Sequence, residues 1–223
     1  MAEMQWRSRI RLVDEVVDVL RNRIYEGQYS PGSPIRQEQL AAELNVSRTP
    51  LREALRMLER EGLVEMAPGR GTRVISVDLP SLLAAYELRE AIDGVAARLA
   101  AQNTSRSCSR QLAPILVAQE IALDPWTPAA YTTANVAFHR TIIEASGNAY
   151  VVAQLPLVRM TSQVFTPIKL VDQQRATTAV VEHQAIAAAI AAERPQEAEQ
   201  LAKAHIRQTI ESLRLRRSGP QPH

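Results

Sequence analysis

Asn45-Val46-Ser47-Arg48-Thr49-Pro50-Leu51-Arg52-Glu53-Ala54-Leu55-Arg56-Met57-Leu58-Glu59-Arg60-Glu61-Gly62 reads as a turn feeding an amphipathic helix. Thr49 suits the N-cap, where its hydroxyl accepts from an orphan backbone N–H, and Pro50 suits the first helical position, where no N–H is needed. Leu51, Ala54, Leu55 and Leu58 recur at three- and four-residue spacing as one apolar stripe, while Arg52, Arg56 and Arg60 stand four apart on another face. Helices with arginines outside are common as solvated surface elements, so the spacing alone does not make this one a reader of DNA.

The segment after this helix changes the weighting. Gly62 ends the helix, Leu63-Val64-Glu65-Met66-Ala67 alternates like a short strand, and Pro68-Gly69-Arg70-Gly71 is a tight turn. Thr72-Arg73-Val74-Ile75-Ser76-Val77 is a second strand, so the whole is a hairpin with an arginine at its tip. A recognition helix followed by a hairpin wing is the winged helix-turn-helix plan, the helix entering the major groove and the wing reaching phosphates or the minor groove.

With 223 residues, the chain suits one large or two small domains with real cores. The single cysteine, Cys108, allows no intrachain disulfide and favours a reducing compartment. The longest apolar run, Ala185 to Ala192, falls well short of the roughly 18 residues that cross a bilayer, and no signal-peptide core is seen. The expectation is a soluble protein of the cytoplasm with no membrane partner. Residues 1–79 hold 12 arginines and 12 acidic residues, so a DNA-binding reading rests on where the arginines sit and not on net charge. Six arginines against four glutamates lie between Ser47 and Arg73.

From the start, residues 1–8 read as a loose arm. Ile10, Val13, Val17, Leu20 and Ile24 mark a first helix, stopped by Gly27 and the turn Ser30-Pro31-Gly32. A short second helix begins near Gln37 and closes at Asn45, which can take the left-handed conformation. At this point the sequence resembles the GntR family of bacterial transcription regulators. The resemblance runs from about Val16 to Val77 through Gly27-Gln28-Tyr29-Ser30-Pro31-Gly32, Gln39-Leu40-Ala41, Val46 to Leu55, Leu58-Glu59, Glu61-Gly62-Leu63 and Gly69-Arg70-Gly71. It implies that Arg48 and Arg52 read base edges in the groove, that Ser47 and Thr49 hold phosphates, and that Gly69 with Arg70 makes the wing contact. An arginine can engage guanine O6 and N7 bidentately, worth roughly 1–3 kcal/mol of discrimination. Arg36 is read either as a further phosphate contact or as a solvated loop residue.

The expected organisation is a mainly α chain: a winged helix-turn-helix over 1–77, a linker 78–80, an all-α antiparallel helical bundle over 81–217 for effector binding and dimerisation, and a disordered tail 218–223. Leu82, Leu83, Tyr86, Leu88, Ile92, Val95, Ala96 and Leu99 mark a long helix to about Gln102, and a further helix is expected from about Ser109 to Ala122. Breaks fall at 103–107, 124–128, 146–148, 172–175 and 194–195.

The chemistry of this half lies in its histidines. His183 and His205 are each 11 residues from position 194, so an antiparallel hairpin turning there sets both imidazoles at one height, roughly 16 Å from the turn. His139 and Asn135, four apart, share a helix face. Each histidine alone reads as a satisfied core residue; three histidines and an oxygen converging in a bundle would suit zinc, nickel or a similar divalent ion with positions left open for a small ligand.

This half resembles the FadR-type C-terminal effector domain of the same family, on Glu87-Leu88-Arg89-Glu90-Ala91, Ala96-Ala97-Arg98-Leu99-Ala100, Phe138-His139-Arg140, Glu144-Ala145-Ser146-Gly147-Asn148, Glu182-His183 and Ala204-His205. The resemblance implies metal ligands at Asn135, His139, His183 and His205. Where metal-binding members carry an aspartate this chain has Asn135, a neutral oxygen that holds a cation more weakly. It also implies an effector-facing arginine at Arg89, for which a salt bridge to Asp93 is the competing reading. The implied function is a dimeric, ligand-responsive regulator, acting as a repressor, that binds a pseudo-palindromic DNA operator and responds to a small carboxylate. Two rivals stand beside it: a metal-dependent hydrolase-type enzyme using the three histidines, against which no Asp or Glu is evidently placed as a base, and a sequence-indifferent architectural DNA binder.

Overall fold

The computed structural model describes residues 2–67, 69, 71–103, 107–165 and 172–217. Arg70 and the tail 218–223 lie outside them. The chain divides into two compact units, 1–77 together with 163–167, and 78–162 together with 168–223.

The first unit holds α1 (Ala2–Tyr25), β1 (Pro34–Ile35), α2 (Gln37–Glu43), α3 (Arg48–Arg60), β2 (Val64–Ala67) and β3 (Gly71–Val74). Helix α1 begins at Ala2, where the sequence suggested a loose arm. No proline or glycine stands between Ala2 and Gly27, so nothing keeps the helix from starting at Ala2. Its Val13, Val16, Val17, Leu20 and Ile24 are buried with Leu51, Ala54, Leu55 and Leu58 of α3, forming the core that fixes the outer face of α3. Each such buried aliphatic side chain contributes about 1.5–3 kcal/mol over its exposed state.

Helix α3 starts two residues earlier than Thr49 and Pro50 suggested: Ser47 is the N-cap, Arg48 the first helical residue, and Pro50 is buried in the first turn. Proline fits there as well, because none of the first four helical N–H groups has an intrahelical partner. Asn45 takes φ 52°, the left-handed turn expected of it. At the other end Gly62 (φ 72°) lets Leu63 N–H reach back to Leu58 O at 2.9 Å, which stops α3 and launches β2.

The wing sheet has the order β1-β3-β2. Val64 faces Val74 and Met66 faces Thr72 across the hairpin, while Pro34 and Ile35 pair with Arg73 and Thr72 on the other edge of β3. The second strand stops at Val74, shorter than the sequence suggested, and β1 is too short for any sequence periodicity to reveal.

The second unit begins with α4 (Leu79–Gln102). The expected linker 78–80 is instead the start of this helix: Asp78 caps it by accepting the Ser81 N–H at 2.9 Å, and Pro80 occupies the first turn. Then come α5 (Ser107–Ile121), α6 (Pro128–Ala145), the short α7 (Ala149–Val152) and α8 (Leu155–Arg159), a π-helical turn (Met160–Val164), α9 (Gln173–Ala191) and α10 (Pro195–Arg217). Small residues set the packing. Ala96, Ala97, Ala100 and Ala101 of α4 and Ala198 and Ala202 of α10 are all buried in one core with Phe138, Ile142, Ile143 and Ile186. Gly94 allows the closest approach: a Cβ there would stand 2.8 Å from Lys203 Cγ. This draws α10 onto the stretch of α4 that carries Asp93. No helix of the described residues is long and apolar enough to cross a membrane.

Candidate functional site

On the first unit the described sequence candidates are all exposed, at the start and along the outer face of α3, at the start of α2 and at the wing tip. Burial of Leu51, Ala54, Leu55 and Leu58 turns Arg52 and Arg56 outward, and both are exposed. Ser47, Arg48 and Thr49 are exposed at the N-terminus of α3, where unpaired N–H groups and the positive end of the helix dipole favour a phosphate. The Ser47 hydroxyl makes no capping bond and stays free for such a contact. Arg36 is exposed as the N-cap residue of α2, and Gly69 lies at the wing tip with φ 74°.

Arg48 is paired with Glu38 of α2, both side chains mostly exposed. Were Arg48 to read DNA, Glu38 would compete for it. Glu38→Gln is expected to tighten operator binding about two- to fivefold at low salt, since exposed pairs are worth about 0.2–1 kcal/mol, with the gain fading as salt rises. A titration of labelled operator by fluorescence anisotropy at two salt concentrations checks this.

In the second unit His139, His183 and His205 meet, the last two from facing positions of the α9–α10 hairpin. All three are buried, and one ring nitrogen from each lies within 4.8 Å of the others. His183 Nε2 and His205 Nε2 stand 3.3 Å apart. Phe138 stacks on His183 at 4.0 Å between ring centres and fixes its plane.

Each Nδ1 is occupied on the outer side. His139 Nδ1–H donates to Asp93 Oδ1 at 2.6 Å, His183 Nδ1–H to Gln119 Oε1 at 2.9 Å, and His205 Nδ1–H to Glu182 Oε2 at 2.6 Å. The Gln119 amide is itself oriented by donating to Ala134 O at 3.3 Å. These bonds select the tautomer in which all three Nε2 lone pairs point inward.

Burial, the largest influence, disfavours the charged imidazoliums. It outweighs the Asp93 carboxylate and lowers His139 to about 4; it lowers His183 well below its usual range, and His205 too despite its bond to Glu182. Burial would raise Asp93, but the Arg89 guanidinium and then His139 overcome this and hold its carboxyl well below the usual range. Hence the carboxylate is charged and the imidazoles are neutral.

These shifts set a pH dependence. Histidines with folded pKa values below their unfolded value of about 6.5 contribute stability that is present above pH 6.5 and lost as pH falls toward 4. The urea midpoint of the metal-free protein is therefore expected to drop across that window. An unchanged midpoint from pH 7 to 5 would contradict the neutral, buried assignment.

The arrangement fits a metal ion. Two neutral lone pairs facing each other at 3.3 Å repel unless a cation or proton lies between them. Two nitrogens bound to a tetrahedral zinc at about 2.0–2.1 Å would themselves be about 3.3 Å apart. Asp93, Phe138, His139, Ile142, Ile186 and His205 line a cavity of about 10 Å³, room for roughly one water. Asn135 lies one turn before His139 on α6 and is half-buried.

Arg89, the sequence candidate for the effector, is buried and fully engaged. Its Nε and Nη2 donate to Asp93 at 3.2 and 3.1 Å, and its Nη1 to Thr161 Oγ1 and Ser162 Oγ at 3.2 and 3.0 Å. The sequence reading missed Gln119 and Glu182, and cast Asp93 only as a partner for Arg89. It held that no Asp or Glu is evidently placed as a general base near the histidines; Asp93 and Glu182 do stand beside them. Each, however, is bound to an Nδ1 and to an arginine, so neither is a free base. The one sequence signal was the pair Glu182-His183, misleading because Glu182 serves His205 across the hairpin.

Comparison with known proteins agrees with this geometry. The description "Bacterial regulatory proteins, gntR family" matches residues 12–74, and "FCD domain" matches residues 84–208. The chain is 32% identical over 142 residues to the "Probable D-xylose utilization operon transcriptional repressor" of Paenarthrobacter nicotinovorans, covering 64% of this chain and 62% of that one. It is 28% identical over 148 residues to the "Gluconate operon transcriptional repressor" of Bacillus licheniformis, covering 66% and 60%. Each of these two matches thus spans less than two thirds of the relative. The solved structure of E. coli McbR/YncC shares the fold with a TM-score of 0.79 at 21% identity, over 92% of this chain and 98% of that one. The chain therefore belongs to the GntR family of bacterial transcription regulators, in the group whose helical half is the FadR-like FCD domain.

Proposed function

We propose that the chain is a homodimeric repressor that binds a pseudo-palindromic double-stranded DNA operator through two winged heads and is controlled by a small carboxylate effector in its helical unit. The observation that carries the DNA reading is the division of α3 into a buried apolar stripe and an exposed face bearing Arg52 and Arg56, with Ser47, Arg48 and Thr49 exposed at its start. Arg48 and Arg52 read base edges; Ser47, Thr49, Arg36, Gly69 and Arg70 contact the backbone. Two-fold symmetry in the protein requires half-sites spaced for both heads. Relatives named as repressors of the D-xylose utilization and gluconate operons support the repressor reading.

In the helical unit His139, His183 and His205 hold a divalent ion, zinc or nickel, with Asn135 as a weak fourth ligand. The ion supplies a Lewis-acid position for the effector carboxylate. Arg89 meets that carboxylate by exchanging it for Asp93, a rearrangement that also reaches Thr161 and Ser162 in the π-helical turn. The effector shifts operator affinity only by the difference in its affinity for the two head arrangements.

Selection of genomic fragments by the full chain at about 150 mM salt, followed by titration against scrambled DNA, tests the reading. A preference of at least about 10³ is expected of a specific regulator. Equal binding to both DNAs would favour the architectural alternative instead.

A further inference from the structure

Arg89 and Arg175 play parallel parts around the histidines. Arg89 clamps Asp93, which holds His139; Arg175 clamps Glu182, which holds His205. They differ in how fully each is satisfied. All three Arg89 nitrogens are bonded. Arg175 uses only Nη2, which donates to Glu182 at 2.8 Å, His205 O at 3.2 Å and Thr209 Oγ1 at 3.2 Å. Its Nε and Nη1 are buried without a partner among the described residues. Each buried donor left unpaired costs about 1–3 kcal/mol, more on a charged group, so such atoms mark a place where an acceptor is missing.

The two also differ in access. The Arg89 side chain is 2% exposed, that of Arg175 18%. Arg175 lies in the first turn of α9, on the wall of an open cleft of about 490 Å³ lined also by Asp172, Thr178, Gln208, Glu211 and Ser212. The Asp172 carboxylate is engaged in capping α9 through the Gln174 N–H at 2.9 Å. The Thr178 hydroxyl donates to Gln174 O at 3.2 Å, so the donors left on the cleft wall are the Arg175 guanidinium, the Ser212 hydroxyl and the Gln174 and Gln208 amides, beside the Glu211 carboxylate.

We propose that this cleft is a binding site for a small carboxylate, received by Gln208, Ser212 and Arg175, whose unpaired Nε–H and Nη1–H lie buried behind the cleft wall and turn toward the ligand as it enters. Arg175 Nη2 is 3.5 Å from His205 Nδ1, on the opposite edge of that imidazole from the Nε2 that faces His183, so the site is separate from the three-histidine centre. The two are joined through Glu182. A ligand that draws Arg175 away leaves Glu182 to act more fully on His205, making its Nε2 a stronger donor. Only this coupling rests on the metal reading; the site itself does not.

The test uses the full chain stripped of metal and dialysed free of chelator. Its thermal midpoint is followed against sodium acetate, with sodium chloride at equal ionic strength as reference. A saturating rise specific to acetate is expected, absent in Arg175→Gln and reached at a several-fold lower acetate concentration in Glu211→Gln, which removes a like charge from an exposed position. A rise matched by chloride, or one retained in Arg175→Gln, overturns the site. Should Arg175→Gln not fold, an unshifted acetate midpoint in Glu211→Gln overturns it equally. Repeating the titration with zinc bound shifts the acetate midpoint if the two sites are coupled; an unmoved midpoint removes the coupling and leaves the site standing.

Discussion

Replacing Arg52 by alanine is expected to lower affinity for the specific operator about 10- to 100-fold while leaving the thermal midpoint of the protein essentially unchanged. Arg52 is exposed, one residue after the buried Leu51, and its guanidinium donates to nothing among the described residues, so truncation removes no internal contact. Alanine is also the better helix former. Loss of a bidentate guanine contact costs about 1–3 kcal/mol, whereas loss of a phosphate contact weakens every sequence alike and lowers the salt dependence. The two roles separate when the variant is titrated against both operator and scrambled DNA. A fall confined to the operator assigns Arg52 to a base edge; an equal fall on both makes it a phosphate ligand. Wild-type affinity for the operator would remove α3 from the major groove.

The DNA-reading half was largely legible in the sequence because its signals are local. The stripe Leu51, Ala54, Leu55, Leu58 and the glycine stop at Gly62 lie within one helix, and the alternation of Val64 and Met66 lies within one strand. The start of α3 was misplaced because Ser47 and Thr49 are both capping residues and a first-turn proline does not choose between them. Strand β1 was invisible because Pro34 and Ile35 become a strand only through pairing with β3, 37 to 39 positions later. In the helical half, the equal height of His183 and His205 could be read from a hairpin count. Their supports could not. Asp93 reaches His139 from a different helix, Gln119 reaches His183 across 64 positions, and Glu182 serves the histidine opposite it and not its own neighbour. The saturation of Arg89 by Thr161 and Ser162 depends on a π-helical turn for which no sequence periodicity stands.

The proposed metal site at His139, His183 and His205 carries the largest expected effect in that half. The protein purified without chelator or histidine tag is expected to contain about one transition-metal ion per chain by elemental mass spectrometry, and His183→Ala to contain none. Saturating zinc at about a thousand times its dissociation constant adds about 4 kcal/mol to the folded state, a rise of roughly 10 °C in the thermal midpoint. That increment should vanish in His183→Ala, because the remaining pair of nitrogens cannot close a tetrahedral site. His183 is fully buried and stacked on Phe138, so the variant also leaves a cavity; comparison of each protein with and without zinc separates lost metal from lost packing. Asn135→Asp distinguishes ligand from bystander. If residue 135 supplies the fourth donor, a carboxylate in place of the amide tightens zinc by about tenfold or more, in line with the size of supporting effects at such centres. If zinc binds equally to the wild type and to Asn135→Asp, the three histidines act alone, and the open positions belong to water and the effector. Wild-type protein that takes up no ion would leave the inward Nε2 atoms of His183 and His205 with no cation between them, and the effector would meet neutral imidazoles directly.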